Sequence, residues 1–328
     1  MSGCTKTGDM PLISILMAVY EPRMDWLREQ LLSLEAQTYP NLRLYIRDDC
    51  SPAVPLADIE NLVRECIRSF PWELRRNEEN LGSNATFQRL TAEAGGDCFA
   101  YCDQDDIWLP EKLVLLMEAM VREQALLVCS DVLVIDAEGR RIAGSMTEIR
   151  KKHAFQTGKG LAPKLLVSNF VTGCTMLIRA DTAKAAIPFC PYMVHDHYLA
   201  FWCAVYGRIA VVFSPLIRYR IHSGNQTKPM AGVKNKERYI ALRIADVEKR
   251  LLWLADTFSG ETALCEEIGA MLQWVRARAD NFNGCFPAKG RIWTLRRFGP
   301  LTSLYEILFA GMPDPLFMLG VRFRQRGM

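Results

Sequence analysis

The segment Cys98-Phe-Ala-Tyr-Cys-Asp-Gln-Asp-Asp-Ile-Trp-Leu-Pro-Glu-Lys112 decides how the rest of the sequence is interpreted. Its first five residues are apolar or aromatic, which predicts a short buried strand. Three carboxylates then follow within four positions, at Asp103, Asp105 and Asp106. An amphipathic run opens after them with Pro110, a residue type favoured at the first position of a helix. The segment therefore predicts a strand, an acidic turn and a helix.

The acidic turn is the first candidate for a functional site. Carboxylates crowded at the end of a strand repel one another, and a cation among them removes this cost. Hard divalent ions such as Mg²⁺ and Mn²⁺ prefer oxygen ligands, and Mg²⁺ is commonly held by one or two carboxylates together with substrate phosphates. The alternative is a solvated turn whose aspartates cap the following helix.

Composition narrows the class of protein. Half of the 328 residues are hydrophobic, and the net charge of +3 does not by itself indicate nucleic-acid binding. The 11 cysteines include no C-x-x-C pair, which favours buried thiols in a reducing, cytoplasmic compartment. The apolar run at residues 10–20 has no cleavage site after it and predicts a first strand, not a signal peptide. Charges and prolines interrupt residues 301–321, so no transmembrane helix is predicted.

Strands and helices alternate four times in the first 125 residues. The strands are predicted at residues 12–19, 42–47, 73–76 and 98–102. This alternation predicts a parallel sheet with helices on both faces, which binds ligands beyond the carboxyl ends of its strands. A second acidic pair, Asp48 and Asp49, ends the second strand, so we expect it at the same edge as the acidic turn. No glycine-rich phosphate loop is present in the sequence.

The second half of the chain adds two candidate positions. Gly173 begins a strand, where a glycine marks either a close approach by a ligand or a simple bulge. Asp196 fits the N-cap of a helix that ends before Gly207. Residues 146–160 are polar and basic and predict a loop, and two short strands are expected at residues 209–213 and 216–221.

The residues after 230 are predicted to be helical. Two apolar stripes, one from Ile240 to Leu254 and one from Leu264 to Ala279, predict a pair of packed antiparallel helices with Gly260 in the turn. Basic residues interleaved with aromatic ones follow, from Lys289 onward. This composition suits a membrane surface, and it suits equally a helix that packs on the protein with a solvated basic face.

Seven short motifs occur in a recognisable order. They are Ile13–Val19 with Tyr20, Ile46-Arg-Asp-Asp-Cys-Ser-Pro52, Asn80-Leu-Gly82, Asp103-Gln-Asp-Asp-Ile-Trp108, Thr172-Gly-Cys-Thr-Met176, His195-Asp196 and Tyr219-Arg-Ile-His222. Together they resemble a family 2 glycosyltransferase, and the D-Q-D-D-x-W and H-D-x-Y-L-A forms are similar to its rhamnosyltransferase-like branch. The resemblance covers roughly residues 10–227. It implies an α/β protein with the GT-A fold: a Rossmann-like, mostly parallel central sheet with flanking helices, plus a C-terminal helical extension.

The resemblance also implies roles for individual residues. Asp196 would be the catalytic base, and Asp103, Asp105 and His222 would hold Mg²⁺ or Mn²⁺. The nucleotide would be bound by Tyr20, Glu21, Asp48, Asp49, Asn80, Gly82 and Asp103, with either Asp48 or Asp49 on the base. The residues that contact the diphosphate and the acceptor would be Asp106, Trp108, Gly173 and Arg220.

The activity implied is inverting, metal-dependent transfer of rhamnose or a hexose from a dTDP- or UDP-linked donor. The acceptor would be a saccharide or a lipid-linked saccharide of surface polysaccharide synthesis (O-antigen, capsule or exopolysaccharide). Residues 1–229 would form the GT-A domain, and residues 230–328 a helical region that contacts the acceptor or the membrane. The enzyme would lie in the cytoplasm or at the inner face of the cytoplasmic membrane, with no nucleic-acid partner.

Three alternatives remain. Phosphatases of the haloacid-dehalogenase type also carry D-x-D after a strand, but Ile107 stands where that family has Thr or Val. Sugar-nucleotide pyrophosphorylases share a related sheet, but their glycine-rich, basic N-terminal loop is absent here. A non-catalytic scaffold at the membrane would be expected to lose the carboxylates, and they are all present.

Overall fold

The computed structural model describes residues 10–150, 153–222, 224 and 232–326. Contacts among these residues form two units. The first unit contains residues 10–161, 169–189 and 194–222. The second contains residues 162–168, 190–193, 224 and 232–326. The predicted boundary between residues 229 and 230 lies outside the described residues.

The first unit is built from strands and helices that alternate along much of the chain. In order they are β1 (Ile13–Val19), α1 (Met24–Glu35), β2 (Leu42–Asp48), α2 (Leu56–Cys66), β3 (Trp72–Arg76), α3 (Ser83–Glu93), β4 (Cys98–Cys102), β5 (Ile107–Trp108), α4 (Lys112–Glu123), β6 (Leu127–Ile135), β7 (Arg141–Ala143), α5 (Met146–Ile149), a 3₁₀ turn (Gly173–Thr175), β8 (Met176–Arg179), α7 (Ala180–Ala185), α8 (His195–Tyr206) and β9 (Ile209–Arg220). The short helix α6 (Ala162–Val167) belongs to the second unit. The alternation predicted for the first 125 residues is confirmed.

Within the described residues these strands form a single mixed sheet in the order β3-β2-β1-β4-β8-β6-β9-β5, with β7 paired to β6. Strands β3, β2, β1 and β4 are mutually parallel, as predicted. Strand β8 is antiparallel to both of its neighbours, β4 and β6. The carboxyl ends of β1, β2 and β4 share one edge, because parallel neighbours end on the same side. This places the acidic turn close to Asp48 and Asp49.

Burial of apolar side chains explains why the first elements form as they do. In β1, Ile13, Ile15 and Met17 are fully buried, as expected for a central strand covered on both faces. The stripe predicted for α1, namely Leu27, Leu31 and Leu34, is also fully buried. These side chains belong to one hydrophobic cluster that continues into α2 and α4. The cluster fixes the strands whose ends carry the acidic residues.

Three predicted boundaries are wrong, each because of a partner distant in sequence. Helix α4 begins at Lys112 and not at Pro110, since β5 pairs with β9 and keeps the chain extended. Residues 209–220 form one long strand and not two, because β9 stays paired with β6 through two shifts in register. The loop predicted at 146–160 contains α5, and the N–H of Gly158 donates to the Ile209 carbonyl over 2.9 Å. Residues 151 and 152 of that loop lie outside the described residues.

The second unit is helical. Besides α6 it contains α9 (Lys236–Ile240), a π-helical turn (Ala241–Ala245), α10 (Asp246–Thr257), α11 (Thr262–Phe282), α12 (Ala288–Thr294), a 3₁₀ turn (Arg296–Phe298), α13 (Pro300–Phe309) and α14 (Asp314–Arg326). Helices α10 and α11 pack together as predicted, with Leu251, Leu254, Ile268 and Val275 buried. Among the helices described, none has both the length and the apolar character needed to cross a bilayer.

Candidate functional site

The acidic turn after β4 carries a buried carboxylate that lacks part of its hydrogen bonding. Asp106 is 1% exposed, and its Oδ1 accepts a hydrogen bond from the Arg220 backbone N–H over 3.0 Å. Its Oδ2 is buried and has no hydrogen-bond partner. Such an orphaned oxygen is costly unless a proton or a cation reaches it.

Burial and the negative charge of neighbouring carboxylates make the aspartates of the acidic turn harder to ionise. Burial, followed by the negative charges of Asp105 and Asp196, raises the pKa of Asp103 to about 7. Burial and the charges of Asp105 and Asp103 raise the pKa of Asp106 well above its ordinary value. The backbone brings Asp196 to the same place, because its carboxylate accepts from the Gly173 N–H, and the sulfur of the next residue, Cys174, lies within 4.8 Å of ligand atoms of Asp103 and Asp106.

The donor set suits a hard divalent cation. Ligand atoms of Asp103, Asp106 and Cys174 lie within 4.8 Å of one another. A hard divalent ion prefers oxygen ligands, so the carboxylates of Asp103 and Asp106 are the usable ligands; burial, which raises the pKa of the Cys174 thiol well above its ordinary value, disfavours the thiolate. The predicted pair Asp105 and His222 also meets, with Oδ2 and Nε2 2.6 Å apart. Asp106, which was predicted to face the diphosphate or the acceptor, thus joins the candidate cation ligands.

Asp196 lies in the first turn of α8, where two donors from an earlier segment hold its carboxylate. Oδ2 accepts from the Gly173 N–H over 3.0 Å, and Oδ1 accepts from the Asn169 side-chain amide over 3.2 Å. Burial raises the pKa of Asp196 to about 6. The predicted capping role is wrong, because Val194 is the N-cap residue. Asn169 was missed in the sequence, where nothing marks it as a partner of Asp196.

Gly173 lies against the start of α8. A Cβ at this position would be 2.8 Å from His195 Nε2 and 3.6 Å from Asp196 Cβ. The close approach predicted here is thus made by the protein's own helix. His195 is buried, and its ring lies 4.2 Å from the Phe87 ring and 5.4 Å from the Tyr101 ring, centroid to centroid.

Asp48 and Asp49, the acidic pair after β2, are both buried and hydrogen-bonded within the protein. Asp48 accepts from the Ser51 N–H and hydroxyl and from the Arg76 guanidinium. Asp49 accepts from Asn77 over 2.7 Å and from the N–H groups of Leu81 and Gly82 over 2.9 and 2.8 Å. The pair therefore shapes the backbone around the sheet edge.

The turn at residues 80–82 depends on a glycine. Gly82 has φ +79°, a conformation that favours glycine, and its N–H also lies 3.1 Å from the Asn80 side-chain oxygen.

At the end of β1, the Tyr20 side chain is exposed, and the backbone N–H and carbonyl of Tyr20 are hydrogen-bonded to the side chain of Gln104. Gln104 lies within the D-Q-D-D motif and ties β1 to the acidic turn. Glu21 donates its N–H to Ser51 and accepts from the Ala53 N–H.

Arg220 lies behind the acidic turn. It is 1% exposed, and its Nε donates to the Asp105 carbonyl over 2.9 Å. Its Nη2 pairs with Glu29 and its Nη1 donates to the Ala137 carbonyl. These donors bind protein groups in the structure, and the contact of Arg220 with the diphosphate stays a prediction. His222 does face the turn, and its ring lies 4.8 Å from that of Trp26.

Comparison with known proteins agrees with this arrangement. The family model described as "Glycosyl transferase family 2" matches residues 14–184, more than half of the chain. The chain is a family 2 glycosyltransferase. This membership removes the phosphatase and pyrophosphorylase alternatives and accounts for the mixed sheet, which is a GT-A sheet.

Two curated relatives and one solved structure illustrate how this glycosyltransferase is related to others. An uncharacterised glycosyltransferase of Haemophilus influenzae is 28% identical over 193 residues, 59% of this chain and 71% of the relative. The dTDP-rhamnosyl transferase RfbG of Shigella flexneri is 22% identical over 274 residues, 77% of this chain and 88% of the relative. S. aureus TarS 1–349 in complex with UDP-GlcNAc matches with a TM-score of 0.54 and 16% identity, over 74% of this chain and 66% of the TarS chain. The TarS likeness concerns the fold alone.

A buried lysine beside the acidic turn of the glycosyltransferase was missed in the sequence. Lys112 is fully buried, its Nζ donates to the Cys174 carbonyl over 2.7 Å, and it lies 2.9 Å from the centroid of the Trp108 ring. Burial lowers the pKa of Lys112 to about 7, and the charges of Asp106 and Asp103 oppose this shift. Trp108 is buried as well, and its contact with the diphosphate or the acceptor stays a prediction. The sequence did offer one indication of the burial of Lys112, because this residue lies on the same side of α4 as the buried apolar residues.

Replacing Lys112 with methionine should lower the free energy of unfolding of the glycosyltransferase by about 1–3 kcal/mol, because the buried Cys174 carbonyl loses its donor. The change would be measured as a shift of the urea midpoint. Lys184→Met, at an exposed position of α7, is the matched control and should leave the midpoint nearly unchanged. Equal midpoints for the two variants would contradict the role given to Lys112.

An open cavity of about 820 Å³ lies at the opposite edge of the sheet, where Met10, Asp97 and Leu126 lead into β1, β4 and β6. Its lining includes none of the site aspartates. The candidate site of the glycosyltransferase is therefore the carboxyl edge and not this cavity.

Proposed function

We propose that the protein transfers rhamnose or a hexose, with inversion, from a nucleotide-diphosphate donor to a saccharide or lipid-linked acceptor. The observation that carries the proposal is the meeting of the acidic turn with Asp196 at one edge of a family 2 glycosyltransferase sheet. Asp103, Asp105 and Asp106, with His222, would hold Mg²⁺ or Mn²⁺. When bound, such an ion supplies Lewis-acid stabilisation of the negative charge on the departing diphosphate.

Asp196 is the proposed general base. Its pKa of about 6 leaves most of the carboxyl ionised at pH 7.5, yet basic enough to accept a proton. As the acceptor hydroxyl attacks the anomeric carbon, its proton moves to the Asp196 carboxylate. The bond from the anomeric carbon to the diphosphate oxygen breaks on the opposite face, which inverts the configuration. The N–H of Gly173 and the amide of Asn169 orient the carboxylate for this step.

The donor is proposed from the relatives. RfbG is named a dTDP-rhamnosyl transferase, and TarS was solved with UDP-GlcNAc, so dTDP-rhamnose is the first candidate donor and a UDP-hexose the second. The exposed Tyr20 ring offers a surface on which the base can stack. We assign Asp103 to the ribose as well as to the cation. Asp48, Asp49, Glu21, Asn80 and Gly82 would shape the backbone that contacts the nucleotide.

The acceptor and the cellular place of the reaction complete the proposal. We place the reaction in surface polysaccharide synthesis at the cytoplasmic face of the membrane, because a lipid-linked acceptor would be presented there. Residues 1–229 would carry the transfer, and residues 230–328 would contact the acceptor or the membrane. The basic residues at 289–297 support this assignment, since the inner leaflet is anionic.

Thermal unfolding with nucleotides tests the proposal. A nucleotide-diphosphate sugar with Mn²⁺, at about 100 times its dissociation constant, should stabilise the protein by roughly 2.7 kcal/mol. Asp105→Asn should reduce the stabilisation that depends on Mn²⁺, and the nucleoside alone should give little shift. Screening dTDP-rhamnose against UDP-hexoses would then rank the donors. The scaffold alternative predicts no shift with any nucleotide-diphosphate sugar and no sugar transfer, and that result would overturn the proposal.

A further inference from the structure

Helix α13 has the reverse of the usual distribution of polar and apolar side chains. Its leucines Leu301, Leu304 and Leu308 are 56%, 45% and 57% exposed, whereas Ser303 and Glu306 are fully buried. The leucines are spaced three and four residues apart and so lie on one face of the helix. A helix that packs on its own domain normally buries the apolar face and exposes the polar one.

The buried polar face is held by specific hydrogen bonds, so the orientation of α13 is fixed. Both carboxylate oxygens of Glu306 accept from Arg278, over 2.8 and 2.7 Å, and Oε1 also accepts from the Tyr239 hydroxyl over 2.7 Å. The Ser303 hydroxyl accepts from the Trp274 indole N–H over 3.0 Å. Turning the leucines inward would break all of these bonds and leave a buried arginine unpaired.

The helices that pack against α13 also carry exposed apolar residues. Helices α12 and α14 both pack against α13. Trp293 on α12 is half-exposed, and so are Leu316 and Leu319 on α14. Exposed apolar residues scattered singly need no explanation, but this many on three adjacent helices indicates a surface that is covered in use. We name Leu301, Leu304 and Leu308 with Trp293 the leucine face.

The charges around the leucine face are positive. Lys289, Arg291, Arg296 and Arg297 are exposed on α12 and the turn that follows it. The guanidinium of Arg296 lies 4.5 Å from the centroid of the Trp293 ring, and Arg291 and Arg297 pair with Asp280 and Glu267. From 286 to 321 the acidic residues are Glu306, buried with Arg278, and Asp314, whose carboxylate accepts from the Lys236 N–H.

We propose that the leucine face inserts into the surface of an anionic lipid bilayer. Leucines penetrate the acyl boundary, tryptophan favours the headgroup level, and the flanking basic residues attract anionic lipid. A second copy of the chain fits less well, since a symmetric dimer through this face would bring like charges together. This inference rests on the membrane contact in the proposed function and specifies the residues that make it. Its test needs no sugar transfer, so a failure of membrane binding can be distinguished from a failure of the proposed activity.

Vesicle sedimentation tests the inference with the full chain. The wild-type protein should sediment with phosphatidylcholine vesicles that contain phosphatidylglycerol at low salt, and much less with phosphatidylcholine alone. Leu304→Ser/Leu308→Ser should lower the partition coefficient by about tenfold per leucine, a loss within the range for withdrawing a leucine from an apolar environment. Arg296→Gln should lower it by about fivefold, the effect expected for one basic residue near an anionic surface.

Controls separate membrane docking from other effects. Leu252→Ser, at an exposed leucine of α10 away from the leucine face, should bind vesicles like the wild type. All variants should keep the wild-type urea midpoint, because the replaced side chains are exposed. A wild-type protein that ignores anionic vesicles, or a double variant that binds them normally, would overturn the inference. So would a wild-type dimer that Leu304→Ser/Leu308→Ser converts to monomer, since the face would then join two copies.

Discussion

Asp196→Asn is expected to lower kcat by about two to four orders of magnitude, the range contributed by a positioned general base. The asparagine keeps the shape of the side chain and one oxygen, which can still accept from the Gly173 N–H. It cannot take the proton of the acceptor hydroxyl. Donor affinity should change little, because the proposed nucleotide contacts lie elsewhere on the sheet edge.

The pH dependence provides a second readout of the same substitution. A base works only when deprotonated, so kcat/KM of the wild type should fall as pH drops through about 6, the pKa of Asp196. The variant should lose this step. Both profiles would be measured at saturating Mn²⁺, because a bound cation holds the Asp103 carboxyl ionised and keeps its titration out of the profile. The difference between the two profiles is therefore the quantity to examine.

The matched control is Asp181→Asn, because Asp181 lies on α7 in the same unit and pairs with Arg179 on the surface. Transfer would be followed with the donor that stabilises the protein most. An Asp196→Asn enzyme with wild-type turnover, or one whose low-pH step is unchanged, would remove Asp196 from the chemistry. Unaltered thermal stability of the variant would establish that the loss is not a folding defect.

Glu306→Ala is expected to destabilise the second unit by about 3–5 kcal/mol, the usual cost of removing one partner of a buried ion pair. Arg278 is 3% exposed and Glu306 fully buried, so the guanidinium would lose its counter-charge where water cannot replace it. The Tyr239 hydroxyl would lose the Glu306 carboxylate as its acceptor, whereas Asn281 would keep its bond, because it donates to the backbone carbonyl of residue 306. Hydrogen exchange of α11 and α13 would report the change locally.

Two further variants identify the cause of that loss. Arg278→Met/Glu306→Met removes both charges and should cost much less than Glu306→Ala, because no buried charge is left alone. Arg276 lies on the same helix as Arg278 and pairs with Glu248 of α10 near the surface. Arg276→Ala breaks this pair and should cost at most about 1 kcal/mol. If Glu306→Ala were no worse than Arg276→Ala, the polar face of α13 would not be what fixes its orientation.

Local patterns in the sequence predicted the first half of the fold well. The apolar runs of β1 and β4 are continuous because these strands are covered on both faces, whereas β2 alternates between apolar and polar or half-buried residues. Both patterns are visible without any knowledge of partners. The direction of β8 was not visible, because it depends on pairing with β4 and β6 and not on composition. The two-residue strand β5 is also defined only by its partner β9.

The site was predicted in outline and missed in its supporting residues. The ends of the parallel strands predicted that Asp48 and Asp49 share an edge with the acidic turn, and the family resemblance supplied His222, which lies beside Asp105. Asn169, Gln104 and Lys112 could not be assigned, because each acts through a hydrogen bond to a residue far away in sequence. The burial of Arg220 and Trp108 was not foreseen, because a position in or next to a motif gives no information about burial.

The interleaving of the two units has a practical consequence for truncation. Helix α6 belongs to the helical unit, where it contacts α11, and the Leu166 carbonyl accepts from Arg250. A shortened enzyme that stops near residue 222 would keep α6 but lose these partners. Leu165 and Leu166, fully or almost fully buried in the intact chain, would then face water and favour aggregation. Exchanging the C-terminal helices between related transferases would therefore require exchanging residues 162–168 and 190–193 together with them.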